Sequence, residues 1–176
     1  MKKILVFAGS NSKSSINKQL AIYAASHLNS VGIQLADLND FPLPVYGVDD
    51  EQEEGIPSNA HLFYKLIEEV DGIILSLAEH NGSYTTVFKN LFDWISRINS
   101  KPWNNKPMLL MSTSSGSRGG QSVLDAAKSR FPYMGVKIVG TFSLPSFYDN
   151  FYDGKIIEEF LNNELLDEVK QFELAL

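Results

Sequence analysis

The sequence predicts a doubly wound α/β protein, a three-layer sandwich whose five-stranded parallel sheet runs in the order 2-1-3-4-5. Three observations predict it. Short apolar runs of strand length alternate with amphipathic segments of helical length along the whole chain. Four of the five runs are nearly continuous in apolar residues, as expected of parallel strands buried on both faces. The 176 residues, 44% of them hydrophobic, also suffice to bury one full core. Strand followed by helix, repeated, implies right-handed crossovers and an open sheet covered on both sides. The order 2-1-3-4-5 is the common solution at this length.

The elements follow in order. Residues 4–8 form the first apolar run, and Leu20, Ala21, Ala24 and Leu28 then recur at helical spacing. Residues 33–38 alternate instead of running continuously, which suits an edge strand. The stretch 40–58 carries Pro42, Pro44, Gly47, Gly55 and Pro57 with an acidic cluster from Asp49 to Glu54. It is too long for an ordinary connection and reads as a lid or interface segment. Its apolar part, residues 42–48, is the expected contact surface, and its acidic part a solvated loop. Leu62, Leu66, Ile67 and Val70 mark the next helix, and residues 72–77 the third strand. Val87, Leu91, Trp94, Ile95 and Ile98 form a helical stripe in which one of Phe92 and Trp94 is expected in the core and the other at an interface. Residues 108–111 and 136–142 supply the last two strands, separated by a helix through Val123, Leu124, Ala127 and Phe131. A final helix is read through Ile157, Phe160, Leu161, Leu165 and Val169. No repeat, low-complexity segment or linker interrupts the pattern, so a single domain over residues 1–176 is expected.

Composition narrows the function. Fifteen Lys and Arg stand against 21 Asp and Glu, a net charge of -6, which disfavours coating a nucleic acid. The absence of cysteine excludes disulfides, thiolate catalysis and Cys-ligated metals. No apolar run approaches the ~20 residues of a spanning helix, and Gly9 with its polar successors comes too soon for a signal peptide. The expectation is a cytoplasmic protein with neither membrane nor nucleic acid as partner. His27, His61 and His80 are too scattered for metal-ligand spacing, and no Gly-x-Ser-x-Gly elbow marks a hydrolase.

The fold locates the site. Ligands of open α/β sheets bind beyond the carboxyl ends of the strands, where the strand order reverses. Here the loops 9–17, 78–86 and 112–121 line that crevice, and all are rich in Gly, Ser, Thr and Asn. A phosphate in the first loop meets the N–H groups and positive dipole end of the first helix. Ser10, Ser12 and Ser15, with Ile16 and Asn17 at the helix start, are its candidate contacts, and Lys13 and Lys18 its only cations. The competing reading is a polar turn ahead of an N-capped helix. Neither a Gly-x-Gly-x-x-Gly fingerprint nor a Walker A loop is present. Arg118 either approaches a nucleotide phosphate or pairs with Asp125.

Gly9-Ser10, then Ser15, Asn17 and Leu20-Ala21, resemble the Gly-Ser-x-Arg-x-x-Ser-x-Asn opening of the NADPH-dependent FMN reductase family. Ala78-Glu79-His80-Asn81-Gly82-Ser83, with Lys89-Asn90 and Asp93-Trp94 beyond, are similar to its Pro-Glu-Tyr-Asn-x-Ser…Leu-Lys-Asn-Ala-x-Asp-Trp stretch. Ser114-Ser115-Gly116-Ser117-Arg118-Gly119-Gly120 are similar to its Ser-Pro-Gly-x-x-Gly-Gly loop. The resemblance implies a flavodoxin-like fold and a non-covalent FMN. It implies reduction by NADPH or NADH of a small-molecule electron acceptor, and a homodimer or homotetramer. By position, Ser10, Ser15 and Asn17 are implied to hold the phosphate, and Glu79, His80, Asn81 and Ser83 to face the isoalloxazine ring, with Gly82 between them. Ser114, Ser115 and Gly116 are implied to border its pyrimidine end. No side chain is expected to act as an acid or base, since the flavin carries the chemistry. The chain departs from the family where Ser12 replaces Arg, Ala78 Pro, His80 Tyr, Thr85-Thr86 Pro-Gly and Ser122 Arg. A flavodoxin-type electron carrier is the alternative class, and a binding protein that kept the fold without the flavin a third.

Overall fold

The computed structural model describes residues 1–176. Five parallel strands form its main sheet: β1 (Lys2–Gly9), β2 (Val31–Leu35), β3 (Gly72–Leu77), β4 (Pro107–Thr113) and β5 (Lys137–Leu144). Their order is β2-β1-β3-β4-β5, as the sequence predicts. Ile4 of β1 is paired with Ile33 on one side and Gly72 on the other. A register shift at Met108/Leu109 leaves Val139 of β5 without a partner on β4, a β-bulge.

Alternation along the strands decides which face each side chain serves. Ile4 and Val6, Ile74, Leu109 and Met111, and Phe142 pack beneath α1 (Ile16–Ser26) and the C-terminal helix, residues 159–175. Leu5 and Phe7, Ile73 and Leu75, and Met108 and Leu110 point the other way. There they meet helices over Ser58–Glu68, Thr86–Ile98 and Gln121–Arg130. With a short helix α2 (Val48–Glu54) counted, these are α3, α4 and α5 in chain order, and Glu159–Ala175 is α6. Phe63, Phe88 and Phe131 are almost wholly withdrawn from water, each worth roughly 2–3 kcal/mol of hydrophobic burial.

The structure departs from the sequence reading in several elements. The second strand lies earlier, at Val31–Leu35, because Asp37 turns the chain by accepting the Asn39 N–H (2.9 Å) at the head of a 3-10 turn over Leu38–Asp40. It does occupy the sheet edge. The stretch 40–58 contains α2, whose first turn holds Asp49, Asp50 and Glu51 where the helix dipole favours anions. Glu51 is not merely solvated: it pairs with Arg97 of α4 at 2.9 Å and accepts from the Tyr46 hydroxyl at 3.0 Å. The apolar part is strapped to α4 of the same chain, with Pro44 C=O accepting from Trp94 Nε1 (2.8 Å) and Asn90 Nδ2 (2.9 Å). Phe92 and Trp94 are therefore both buried within the chain. At the C-terminal end, Ile157 and Phe160 are exposed, and α6 packs through Leu165, Val169 and Phe172.

Candidate functional site

The first loop starts where β1 can carry no side chain. A Cβ on Gly9 would lie 2.8 Å from Leu77 Cδ2 and 3.3 Å from Phe88 Cγ. Thr85 closes the space below: its hydroxyl donates to Gly9 C=O at 2.8 Å and accepts the Phe88 N–H at 3.3 Å, capping α4. Beyond Gly9 the chain folds on itself. Ser12 N–H donates to Ser10 Oγ (3.1 Å), Ser15 N–H to Ser12 C=O (3.2 Å), and Lys18 N–H to Ser15 Oγ (3.1 Å). Ser15 thus caps α1, as the competing reading expected, yet the Ile16 and Asn17 N–H groups keep no acceptor within the chain. Two unpartnered donors beside the hydroxyls of Ser10, Ser12 and Ser14 make a small anion cradle.

Asn17 has a different part from the one its position implied. Its side chain is nearly inaccessible, with Oδ1 accepting from Ser76 Oγ (2.7 Å) and Thr113 N–H (3.0 Å). Its Nδ2 donates to Thr113 C=O at 3.1 Å. The amide ties the head of α1 to the carboxyl ends of β3 and β4, and only its backbone N–H is left for a ligand. Lys18 is likewise committed, to Asp37 at 2.6 Å, and this ion pair and the Asn39 N–H hold the Asp37 carboxyl below its ordinary range. Lys13 makes no ion pair and does not line the cleft, so the donors that line the cradle are neutral.

The second loop is a tight hairpin, Glu79–His80 against Ser83–Tyr84, which sequence reasoning missed. Asn81 and Gly82 both have positive φ (52° and 74°), the backbone that a two-residue type I′ turn requires. The Asn-Gly pair was the available signal. Glu79 turns its carboxylate inward, where Oε2 accepts the Val123 N–H (2.9 Å) in the first turn of α5. Gly120 precedes that helix with no side chain to cap it, so Glu79 supplies the cap from another loop. Ala78, Glu79 and His80 face the first loop, whereas Asn81, Gly82 and Ser83 stand outside the cleft.

The third loop is pinned at its base. Gly119, at φ 57°, could bear no Cβ, which would meet Leu144 C=O at 2.8 Å. Its own carbonyl accepts from Ser112 Oγ (2.8 Å) and Ser143 Oγ (3.0 Å). Ser114 and Ser115 line the cleft, and Gly116 lies just beyond it. The loop after β5 joins them, because Phe147 N–H donates to Ser114 C=O (3.0 Å) and Ser146 N–H to Gly116 C=O (2.9 Å). Ser146 holds the left-handed backbone (φ 43°), and the exposed Tyr148 reaches the cleft on the one-turn helix Phe147–Asn150. Ser14, Ala78, Thr113 and Tyr148 line the cleft without having been named as contacts, and of these only Tyr148 lies outside the three predicted loops. The signal for Tyr148 was topological: the fifth strand also ends on this edge.

The result is an open cleft of about 290 Å³ over the carboxyl ends of β1, β3 and β4. One end offers the anion cradle, and the other the serine hydroxyls of the third loop with His80 and Tyr148 at the rim. The N–H of the buried Asn17, left without an acceptor in the lining of the cleft, is the feature that fits the phosphate of FMN.

The model of the NADPH-dependent FMN reductase family matches residues 2–149. A quinone reductase of Escherichia coli (strain K12) is 30% identical over 122 residues, covering 67% of this chain and 63% of that protein. A 2-hydroxy-1,4-benzoquinone reductase of a Burkholderia species is 35% identical over 119 residues, 66% of this chain and 63% of the relative. The chain thus spans 63% of the length of these two curated relatives. In fold it is similar to FerB, a flavoenzyme NAD(P)H:(acceptor) oxidoreductase from Paracoccus denitrificans. The TM-score is 0.74 with 24% identity, over 99% of each chain.

Proposed function

The chain belongs to the NADPH-dependent FMN reductase family, and from that premise we propose that it is an FMN-dependent oxidoreductase passing hydride from NAD(P)H to a quinone, flavin or similar small acceptor. The observation that carries the reading is the cradle at the head of α1. It joins two unpartnered helix N–H groups to a set of serine hydroxyls, at the strand edge where doubly wound sheets bind ligands. Relatives named for quinone and FMN reduction support it.

Bound FMN supplies the hydride chemistry, which no side chain of this protein offers. The protein's share is placement. Ile16 and Asn17 donate their N–H groups to the phosphate, and Ser10 and Ser12 add hydroxyl donors. The Asn17 amide holds that helix in register with β3 and β4, so the phosphate and the ring edge are fixed relative to one another. The backbones of residues 78–80 and 114–116 would border the ring, and His80 and Tyr148, at the rim of the cleft, would lie beside the face left open to substrates. Glu79 acts one step removed, by fixing the start of α5 and with it the third loop.

A homodimer or homotetramer is part of the proposal, with the exposed Val45 and Val48 beside α4 as apolar contact surface. A cytoplasmic setting is too: no helix is long and apolar enough to cross a membrane, and a chain without cysteine suits a reducing compartment.

Steady-state oxidation of NADPH by the FMN-loaded protein, with and without a benzoquinone, tests the reading. Acceptor-dependent turnover by the protein alone is expected. An FMN-loaded protein that turns over only with a separate reductase is the electron carrier instead.

A further inference from the structure

A second cleft lies on the far side of the third loop, and no part of the flavin site uses it. It measures about 530 Å³ and opens between α5, β5 and α6. Its charged lining is Arg118, Lys128 and Glu164, two cations against one anion in a chain whose net charge is -6. Neither cation forms an ion pair, although Lys128 lies near enough to Glu168 of α6 to act on its carboxylate. Arg118 touches only Ser122 Oγ, at 3.1 Å, and Lys128 has neither hydrogen bond nor ion pair. The neighbouring carboxylates each accept a hydrogen bond from elsewhere. Asp125 accepts from Gln121 Nε2 at 2.8 Å, and Glu168 accepts the Thr141 N–H at 3.1 Å.

The two clefts share a wall. Ser114 and Ser115 line the first, and Ser117 and Arg118 line the second. Gly116 stands between them with no side chain, and the nearest atom to a Cβ there would be Ser114 Oγ at 3.8 Å. Pro145 and Tyr148 repeat the arrangement on the loop after β5, one in each lining. The divide between them is backbone, pinned through Gly116 C=O by the Ser146 and Gly119 N–H groups. A long ligand with its reacting end in the first cleft can lie across it.

We propose that this second cleft receives the adenosine end of the pyridine dinucleotide, and that Arg118 and Lys128 bind its 2′-phosphate. The inference rests on the proposed reductase function and adds to it a cofactor choice, NADPH over NADH. A guanidinium with four of its five N–H donors unspent is suited to a phosphate, and the ammonium adds a point charge. The Glu164 carboxylate, on the opposite wall, limits the attraction and makes it sensitive to salt.

Calorimetric titration of the FMN-loaded protein with 2′,5′-ADP and with 5′-AMP isolates the 2′-phosphate. The parent should bind 2′,5′-ADP at least about tenfold more tightly, a difference of ~1.4 kcal/mol. Arg118→Gln with Lys128→Gln should bind the two nucleotides within about twofold of each other, the charge-assisted contacts being lost. In the same double variant KM should rise about tenfold for NADPH and stay within twofold for NADH. Raising the salt from 0.05 to ~0.5 M should shrink the parent's preference. Equal binding of both nucleotides by the parent, or a preference that survives in the double variant, overturns the inference. FMN titration of the same proteins keeps the two claims apart. A parent that does not bind FMN removes the reductase reading, whereas one that binds FMN without discriminating the nucleotides removes only this one.

Discussion

Asn17 shows how a residue can be found by its position and still be misjudged. Spacing placed it two residues beyond the cap of α1, but spacing cannot say where an amide points. That depends on strand parity: Ser76 and Thr113 face α1 at the ends of β3 and β4, and they take both ends of its side chain. Asn17→Ala should leave buried donors and acceptors of Ser76 and Thr113 without partners, at ~1–3 kcal/mol for each group stranded. Urea unfolding should show a loss of about 3 kcal/mol or more, whereas a loss under 1 would return the amide to the ligand. Ser10 tests the cradle without disturbing that brace. In Ser10→Asp a carboxylate can still accept the Ser12 N–H, but it repels a phosphate ~4 Å away by ~1 kcal/mol per charge pair in water and more where half buried. FMN affinity should fall at least about tenfold, with riboflavin affinity unchanged. A parallel loss of both ligands would indicate misfolding rather than repulsion. Tyr84 offers a stability test away from the cradle. Burial pushes its hydroxyl pKa up to about 12, and that hydroxyl finds no partner. Tyr84→Phe should therefore leave the melting temperature unchanged or raise it.

Among the elements, those with a strong hydrophobic period were legible and those defined by turn chemistry or tertiary contact were not. The buried strands follow from continuous apolar runs, and the apolar faces of α3, α4 and α5 from helical spacing. The short helix α2 has no buried residue, so no apolar stripe could announce it. The hairpin after β3 carried an Asn-Gly signal, but its strands are two residues each, too short for a period. Glu79 was recognised as a site residue, yet its role as a cap for α5 needs two elements distant in sequence to meet. The edge of β5 supplies a pH test. Burial raises the Glu168 carboxyl above its usual range, and Glu164 and Asp167 on the same helix add to this, outweighing the opposing Thr141 N–H and Lys128. The folded chain then holds this proton more tightly than the unfolded chain does. Stability is therefore penalised as pH rises past the ordinary glutamate value of ~4.3, and the penalty disappears below it. Glu168→Gln keeps a carbonyl for the Thr141 N–H and removes the charge. Its melting temperature should exceed the parent's at pH 7, with the gap closing below pH ~4. A parent more stable than the variant at pH 7 would mean that the carboxylate's hydrogen bond outweighs its desolvation.

At the scale of the molecule, sheet order placed the site before any side chain was known. The reversal between β1 and β3 opens a crevice at one edge, and four loops converge there, the fourth unanticipated because β5 lies at the sheet's far edge from the reversal. The two clefts on that edge divide the work proposed for them: neutral donors for the flavin phosphate, free cations for the nucleotide. A ligand bound only by the folded chain must stabilise it, by ~2.7 kcal/mol at a hundred times its dissociation constant. FMN should thus raise the melting temperature more than equimolar riboflavin does. The central claim, that the loop from Gly9 to Asn17 holds the phosphate of FMN, is tested most directly by parallel titration of the flavin-free protein with FMN and riboflavin. About one FMN per chain, bound at least about a hundredfold more tightly than riboflavin, is the predicted result. Equal affinity for the two flavins, or no FMN binding at micromolar concentration, would contradict it.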